Sequence, residues 1–349
     1  MLRNRFFGPG FNPLRVPLRA GVNAGTAFSA TAVRGIKYTG GRYYIWGVTS
    51  SGAAFIATSL DLLTWSGYTS SNATFYDVSS SGSVVVIVGT TTSFGNTIWT
   101  VNPTLSVGSI NFYNPVGLSE PRYVEWCSGF SKFIISAWSN RAYSNDATGA
   151  TWTVASYTGI AGYRPGSLLY SPEIGSYYDV RVSSTTAEYE VYTGATAAAL
   201  TSIYTGGNIN NASINRRKLF YRAGPGGTHQ ISIFSQIHFN PSPGYSIIGV
   251  DIWNSTFSSI YATLQNVQTS TTALVGATYL PAYGTYIGKF AFGSLSAITI
   301  ANPTTTSAQS PYNVFNLLPT SSIQDSNTLI YSPAGMVTVA DNGQIYTNP

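Results

Sequence analysis

The chain has 349 residues, of which 44% are hydrophobic, 14% aromatic and only 8% charged, and its net charge is +5. High aromatic content with low charge excludes a disordered chain, and the apolar runs are shorter than the roughly 18 residues that a membrane-spanning helix needs. The single cysteine, Cys127, allows no internal disulfide, and its apolar neighbours predict a buried thiol.

The N-terminal segment is strongly basic and is predicted to form an arm. The first 42 positions contain seven basic residues and no acidic residue, whereas the rest of the chain has 10 basic and 12 acidic residues. A basic segment on a nearly neutral body is typical of a docking tail. We therefore expect residues 1–23 to be an extended arm whose assembly contacts come from Arg3, Arg5, Phe6, Phe7, Arg15 and Arg19. The first residues lack the apolar stretch of a secretory leader, so synthesis in a cytosol is expected.

A recurring unit, in which an apolar strand, a glycine-containing turn and an aromatic strand follow one another, predicts an all-β protein. Five clear copies and two weaker ones occur at residues 36–46, 76–87, 124–135, 168–178 and 329–339, and at 214–221 and 279–287. Their turns lie about 49 residues apart on average, which is the length of a four-stranded propeller blade. The sequence therefore predicts a single β-propeller over residues 24–349 with seven four-stranded blades, six or eight being the alternatives. The long step between the turns near 217 and 284 indicates an insertion or a further unit.

The last unit contains only three strands before the chain ends, so another segment must complete it. Propellers commonly close with a strand from the other terminus, which removes an exposed sheet edge. Residues Thr26–Val33 alternate between small or polar and apolar side chains just before the first unit. We therefore expect the closing strand to lie within residues 24–33.

Two turns share a second pattern, in which Ser-x-Asp is followed by a short turn and Thr-Trp. The residues are Ser59, Asp61, Thr64 and Trp65 in the first copy and Ser144, Asp146, Thr151 and Trp152 in the second. The pattern resembles the Asp-box of sialidase-type (BNR) β-propellers, and this resemblance implies turns between the third and fourth strands of a blade. Side-chain oxygens at such positions stabilise turns by accepting backbone hydrogen bonds.

The sialidase resemblance also implies an arginine triad, a tyrosine nucleophile with a glutamate partner and an aspartate acid. Arg15-Val-Pro17 resembles the Arg-Ile-Pro element of that family, but it lies in the predicted arm, where an arginine would not be held rigidly. His229 and His238 have no metal-ligating neighbours at suitable spacing, and the glycine-rich segment 224–227 reads better as a hairpin loop than as a phosphate cradle. We therefore predict no catalytic residue, cofactor or metal site.

The composition is similar to that of bacteriophage virion proteins, since lysine is scarce and Ser, Thr, Gly, Asn and Tyr are abundant. This resemblance, with the predicted propeller, implies a non-enzymatic structural subunit of the viral tail, assembled in the host cytoplasm. It would contact other virion proteins and copies of itself in a homo-oligomer; neither nucleic acid nor membrane insertion is expected. The alternatives are a receptor- or glycan-binding propeller for host attachment and, third, a sialidase-type glycoside hydrolase.

Overall fold

Antiparallel sheets of four strands build the computed structural model, and the described residues form seven of them. The structure describes residues 19–24, 28–157, 162–183, 188–206, 212–239, 245–268, 274–281, 285–290, 295–299, 312–315 and 327–348. The first strands of neighbouring sheets contact one another around a complete ring, so each sheet is one blade of a propeller. The prediction of an all-β propeller is confirmed.

Each blade is a meander of consecutive strands, apart from the last blade. Blades 1 and 2 contain β2 (Ala30–Thr39), β3 (Arg42–Thr49), β4 (Ala54–Ser59), β5 (Ser66–Ser70), β6 (Ala73–Ser80), β7 (Val85–Thr91), β8 (Gly95–Val101) and β9 (Asn111–Tyr113). Blades 3 and 4 contain β10 (Pro121–Cys127), β11 (Lys132–Ala137), β12 (Asn140–Ser144), β13 (Trp152–Ser156), β14 (Tyr163–Ser171), β15 (Ser176–Ser183), β16 (Tyr189–Gly194) and β17 (Thr201–Gly206). Blades 5 and 6 contain β18 (Ala212–Ala223), β19 (His229–Phe239), β20 (Tyr245–Asn254), β21 (Ile260–Gln268), β22 (Leu274–Leu280), β23 (Thr285–Phe290), β24 (Leu295–Thr299) and β25 (Tyr312–Phe315). Blade 7 contains β26 (Leu329–Ser332), β27 (Gly335–Val339), β28 (Gln344–Asn348) and β1 (Arg19–Asn23), and single 3-10 turns occur at Val107–Ser109 and Pro225–Gly227.

The meander order gives the propeller two distinct faces. Connections from the first to the second strand and from the third to the fourth strand of a blade form what we call the lower face. Connections from the second to the third strand, and from one blade to the next, form the upper face. The hairpin between β2 and β3 shows the tight turn of the lower face: Gly40 and Gly41 both have positive φ (57° and 79°), which a two-residue hairpin turn requires.

The ring closes through β1, which pairs with β28 in the order β1-β28-β27-β26. In this antiparallel pair, Arg19 lies opposite Thr347 and Asn23 lies opposite Gln344. The expectation that a strand within residues 24–33 closes the ring is therefore wrong, although closure by an N-terminal strand is correct. The boundary between arm and propeller moves from residue 23 to residue 18.

Two β-bulges explain why the sequence pattern pointed to the wrong segment. Residues Ala30–Val33 belong to β2, the innermost strand of blade 1, and the pairing of β2 with β3 shifts register between Ala30 and Ala32 and again between Val33 and Gly35. Each bulge inserts a residue and breaks the inside–outside alternation. The sequence of this one continuous strand therefore resembles that of two separate segments.

Blade 5 accounts for the long interval between repeats. Its four strands have 12, 11, 10 and 9 residues, and β18 runs without a turn through position 217, where a hairpin was expected. The chain turns instead at Pro225–Gly227, between β18 and β19. The predicted turn at 217 is therefore wrong, and the glycine-rich segment is a hairpin loop.

The hydrophobic core is divided among the junctions between blades. Among the described residues, apolar clusters lie between blades 7 and 1 and at each junction from blade 1 to blade 6. Second strands such as β7 are buried on both faces, because each is covered by the neighbouring blade on either side. Cys127 is fully buried, as predicted, in the cluster between blades 3 and 4.

Buried arginines link the blades through backbone carbonyls. The guanidinium of Arg181 on β15 lies 3.9 Å from the ring centroid of Tyr157 and donates to the carbonyls of Ala137 (3.0 Å), Trp138 and Tyr163 (2.8 Å). The adjacent Asp179 carboxylate accepts hydrogen bonds from Ser136 (3.0 Å) and from Tyr157. Arginine suits this position because one planar group satisfies several buried acceptors.

We expect removal of β1 to open the ring. Deleting residues 1–24 would expose the edge of β28 and the cluster between blades 7 and 1, and would lower the melting temperature by more than about 5 °C or cause aggregation. Deleting residues 1–18 retains β1 and serves as the control, with melting expected close to that of the full chain. Equal melting temperatures of the two truncated chains, measured by circular dichroism, would contradict the assignment of β1.

We expect Arg181→Met to lower the free energy of unfolding by about 3–5 kcal/mol, since it leaves three buried carbonyls without their donor and removes the larger of two cationic charges that act on Asp179. Arg42→Met is the matched control, because the Arg42 side chain makes one hydrogen bond within the described residues, to Thr58 Oγ1 at 3.1 Å, and its loss should cost about 1 kcal/mol. Urea titrations measure both losses. Similar losses for the two variants would argue against the role assigned to Arg181.

Candidate functional site

The first strands of the seven blades surround a central channel with a cavity of about 910 Å³. Its polar groups lie at two levels along the propeller axis, because each first strand runs from the upper face to the lower face. The upper tier contains Arg34, Tyr76, Glu120, Arg122 and Arg164, and the lower tier contains Lys37, Asp77, Glu125 and Lys218. The channel therefore gathers charged side chains from five blades.

Three residues of the upper tier are presented by β-bulges. Arg34, Tyr76 and Arg122 are the inserted residues where β2, β6 and β10 shift register against their neighbours. The inserted residue of a bulge is turned away from the regular alternation, so a side chain that would pack between blades can face the channel instead. The bulges lie four or five residues before the lower-face turn in each strand, which places the three side chains at one level.

The upper tier is held together around Tyr76. The guanidinium of Arg122 lies 4.2 Å from the Tyr76 ring centroid and forms an ion pair with Glu120. The Tyr76 hydroxyl donates to Glu120 Oε1 at 3.4 Å. Burial, followed by the neighbouring Arg122 cation, lowers the pKa of Arg34, although Tyr76 opposes this shift.

In the lower tier, Lys37 binds two carboxylates. Its Nζ lies 3.2 Å from Asp77 Oδ2 and 3.0 Å from Glu125 Oε2, and it donates to the carbonyl of Val124 at 2.8 Å. Asp77 Oδ2 also accepts the backbone N–H of Val124 at 2.9 Å. Burial acts to lower the pKa of Lys37, but Asp77 and Glu125 outweigh it, so this pKa is raised. Burial raises the pKa of Glu125 despite the opposing charge of Lys37.

Lys218 extends from β18 of blade 5 into the same level of the channel. Burial, with the like charge of Lys37, lowers the pKa of Lys218 to about 8, although Asp77 and Glu125 act in the opposite direction. Within the described part of the chain, the Lys218 ammonium group forms no hydrogen bond or ion pair. The lower tier therefore contains one paired and one unpaired lysine.

The predicted arm lies almost entirely outside the described residues. Arg3, Arg5, Phe6, Phe7 and Arg15 fall in residues 1–18, which the structure does not describe. Arg19 is the first residue of β1, and its backbone pairs with β28, so its assignment to the arm is corrected.

The first Asp turn is held by side-chain to backbone hydrogen bonds. Asp61 Oδ1 accepts the backbone N–H groups of Leu63 (2.8 Å) and Thr64 (2.9 Å), and Ser59 Oγ accepts that of Leu62 (2.9 Å). Trp65 Nε1 donates to the carbonyl of Leu62 at 3.3 Å. The backbone donors of Thr64 and Leu63 lower the pKa of Asp61 to about 2.

The second Asp turn has the same organisation. Asp146 Oδ1 accepts from the backbone N–H and hydroxyl of Thr148 (2.8 and 2.6 Å), Thr151 Oγ1 donates to Asp146 Oδ2 (3.3 Å), and Trp152 Nε1 donates to the carbonyl of Gly149 (2.9 Å). Ser144 Oγ accepts the backbone N–H of Phe133 at 2.9 Å. Both turns join the third and fourth strands of a blade and therefore lie on the lower face, away from the residues that line the channel.

Three exposed apolar side chains lie on adjacent loops of the upper face, and one of them, Trp138, also lines the channel. Phe94, Val116 and Trp138 are 62, 96 and 38% exposed and belong to three adjacent loops of blades 2 and 3. We call these three residues the upper-face patch. The loop of residues 114–120 joins the other two: Asn114 Nδ2 donates to the carbonyl of Phe94 (2.7 Å), and the Trp138 N–H donates to the carbonyl of Glu120 (2.9 Å). The patch is therefore presented on hydrogen-bonded loops.

The channel residues were not predicted from the sequence, because only the net charge and the basic N-terminal segment were considered. The positions of single charged residues within the repeats were not compared. Aligning the repeats on their lower-face turns would have placed Arg34, Tyr76 and Arg122 within one position of each other in three first strands. The described residues contain no group of three or more His, Cys, Asp or Glu side chains placed to hold a metal ion. Within the same residues, no helix is long and apolar enough to cross a membrane.

No protein-family model matches the chain, and no curated protein matches it. Solved structures do resemble it. The β-propeller domain of Cps50 (Swd1) from Myceliophteria thermophila aligns over 95% of this chain and 99% of its own, with a TM-score of 0.59 and 10% sequence identity. A chain in the mitotic checkpoint complex aligns over 99% of this chain and 97% of its own, with a TM-score of 0.60 and 10% identity. These similarities show that the chain has the β-propeller fold.

We expect Lys37→Met to destabilise the protein by about 3–5 kcal/mol at pH 7.5, because Asp77 and Glu125 would lose the ammonium group that is bound to both of them. Burial raises the pKa of Glu125, and a carboxyl whose folded pKa is raised destabilises the fold as the pH rises, so the loss should be smaller at pH 5 than at pH 7.5. Urea titrations at the two pH values measure the difference.

Lys132→Met is the matched control for this variant. Lys132 begins β11 outside the channel, and its Nζ lies 5.8 Å from the Tyr143 ring centroid. Its loss should cost less than about 1 kcal/mol at both pH values. A pH-independent loss for Lys37→Met would contradict the ion-pair assignment.

Proposed function

We propose that this protein is a non-enzymatic structural subunit that docks onto protein partners, and that its assembly is a bacteriophage particle with the subunit in the tail. The observation that supports this proposal best is the upper-face patch of Phe94, Val116 and Trp138. Aromatic and aliphatic side chains that are exposed together on one surface are typical of the centre of a protein interface.

The loops beneath the patch favour a docking role, because they are already ordered by hydrogen bonds. Ser119 Oγ donates to Asn140 Oδ1 at 2.7 Å and accepts the backbone N–H of Ser139 at 2.8 Å. A surface that is preorganised in this way loses little conformational entropy when a partner binds. More of the free energy gained by burying the rings of Phe94 and Trp138 then contributes to affinity.

The position of β1 gives the subunit a second attachment point on the opposite face. Arg19 lies opposite Thr347, close to the end of β28, and this end of the strand pair is on the lower face. Residues 1–18 therefore join the propeller on the lower face, whereas the patch is on the upper face. A subunit with an arm on one face and a docking patch on the other can contact copies of itself or other virion proteins on both sides. In this proposal, Arg3, Arg5, Phe6, Phe7 and Arg15 supply the arm contacts.

The proposal predicts a defined oligomer of the full chain that depends on the patch. We expect Val116→Asp to shift the oligomer to monomer, since it places a charge at the centre of the apolar contact. Light scattering coupled to size exclusion, over a range of concentrations, measures the molar mass. Ile260→Asp is the control, because Ile260 is exposed on the outer strand of blade 5, far from the patch.

One further variant and one further measurement make the outcome decisive. Deletion of residues 1–18 tests the arm separately while β1 is kept. If the full chain is monomeric at every concentration, self-association is wrong. If Val116→Asp also fails to weaken binding to neighbouring particle proteins in a pull-down, the patch is not the docking surface.

A second candidate function is binding of a cell-surface glycan, with or without sialidase-type hydrolysis. The observation that favours it is the upper mouth of the channel, where Trp138 and three arginines lie near the hydrogen-bonded pair of Tyr76 and Glu120. A glycan array and the turnover of a fluorogenic sialoside test this alternative. If the protein hydrolyses the sialoside and Tyr76→Phe abolishes this activity, the protein is a hydrolase and the structural proposal is wrong.

A further inference from the structure

The channel contains more positive charge than its own carboxylates neutralise. Asp77 and Glu125 are bound to Lys37, and Glu120 is bound to Arg122. Among the described residues, Arg34, Arg164 and Lys218 line the same cavity without an ion pair. Arg34 Nε is buried and has no hydrogen-bond partner. Cations that are surrounded by protein but unpaired are costly unless a ligand neutralises them.

The three cations come from three different blades and converge on one space. Arg34 lies on β2, Arg164 on β14 and Lys218 on β18, so they approach the cavity from separated directions around the ring. Each of them remains partly accessible to solvent from the channel. All three therefore line one cavity, Arg34 and Arg164 in its upper tier and Lys218 in its lower tier.

The remaining walls of the cavity suit a small organic molecule. Its volume of about 910 Å³ lies within the range of roughly 300–1,000 Å³ that is usual for small-molecule sites. Aromatic side chains from several blades complete the lining, among them Tyr38, Tyr123, Phe220, Tyr221 and Tyr279. Such walls accommodate an apolar or ring-shaped body beside a charged group.

We propose that the central channel binds a small molecule that carries at least two phosphate groups, with Arg34, Arg164 and Lys218 as its cationic partners. A phosphate group carries a charge of about −1.5 to −2 at neutral pH, so two of them match three unpaired cations better than a single carboxylate does. The arginines can each donate two parallel hydrogen bonds to phosphate oxygens, and the lysine supplies a compact charge. This site is separate from the docking role proposed above.

The titration of Lys218 gives the site a pH dependence. The groups that face its ammonium are Lys37, Asp77 and Glu125, and burial with the Lys37 charge outweighs the two carboxylates. A bound anion would raise the pKa of Lys218 again, so binding should weaken as the pH rises from 7 to 9 and the free lysine loses its proton.

Isothermal titration calorimetry of the full chain with inorganic pyrophosphate tests the proposal. We expect saturable binding at pH 7 that is at least ten times weaker in Lys218→Met and unchanged in the control Lys132→Met. The decrease in affinity between pH 7 and pH 9 should be largely absent in Lys218→Met. Since that substitution removes an unpaired buried cation, the variant should fold and melt no lower than the wild type.

Adenosine diphosphate, titrated in parallel, distinguishes the two sources of a diphosphate group. Tighter binding of the nucleotide than of pyrophosphate would show that the aromatic walls contact an organic body. Weaker binding would restrict the site to inorganic polyphosphate. No saturable binding of either molecule, equal losses in Lys218→Met and Lys132→Met, or equal binding of sulfate at matched ionic strength would overturn the proposal.

Discussion

The antiparallel pairing of β1 with β28 is the contact on which the rest of the structure depends. A propeller blade cannot bury its two faces alone, so each blade packs between two neighbouring blades. The last blade must therefore pack against the first. The β1–β28 pair supplies the last strand of blade 7 and leads directly into Ala24, which is buried and donates to the carbonyl of Gly343 at 3.0 Å. The cluster between blades 7 and 1 then joins side chains from both ends of the chain, including Val33 and Val337.

Ring closure also explains where the scarce charges are used. The first strand of each blade contacts its own second strand, the neighbouring first strands and the channel. Its buried polar groups therefore require hydrogen-bond partners inside the protein. Side chains on one first strand satisfy the backbone of the next, as when Ser79 Oγ accepts the N–H of Trp126 and Ser167 Oγ that of Leu219. Buried cations act in the same way elsewhere in the ring. Lys289 Nζ, for example, donates to the carbonyl of Val339 at 2.7 Å and joins blades 6 and 7.

The same geometry separates three kinds of surface that the proposed functions use. The lower face carries the hairpin turns, the Asp turns and the connection to residues 1–18. The upper face carries the patch of Phe94, Val116 and Trp138, and the channel between the faces collects charges from β2, β6, β10, β14 and β18.

The sequence by itself determined the blade repeat. A glycine turn such as Gly40–Gly41, and the alternation of apolar and polar residues in the strands beside it, depend only on residues that are close in sequence. The three-stranded final unit likewise showed that an N-terminal strand must close the ring. Only the tertiary structure decided which strand does so, since the bulges in β2 break the alternation on which the prediction relied. It alone also brought Arg34, Lys37, Asp77, Glu125 and Lys218 together. These residues are far apart in sequence, and their convergence follows from the packing of successive blades around an axis, which is a long-range constraint that no local pattern records.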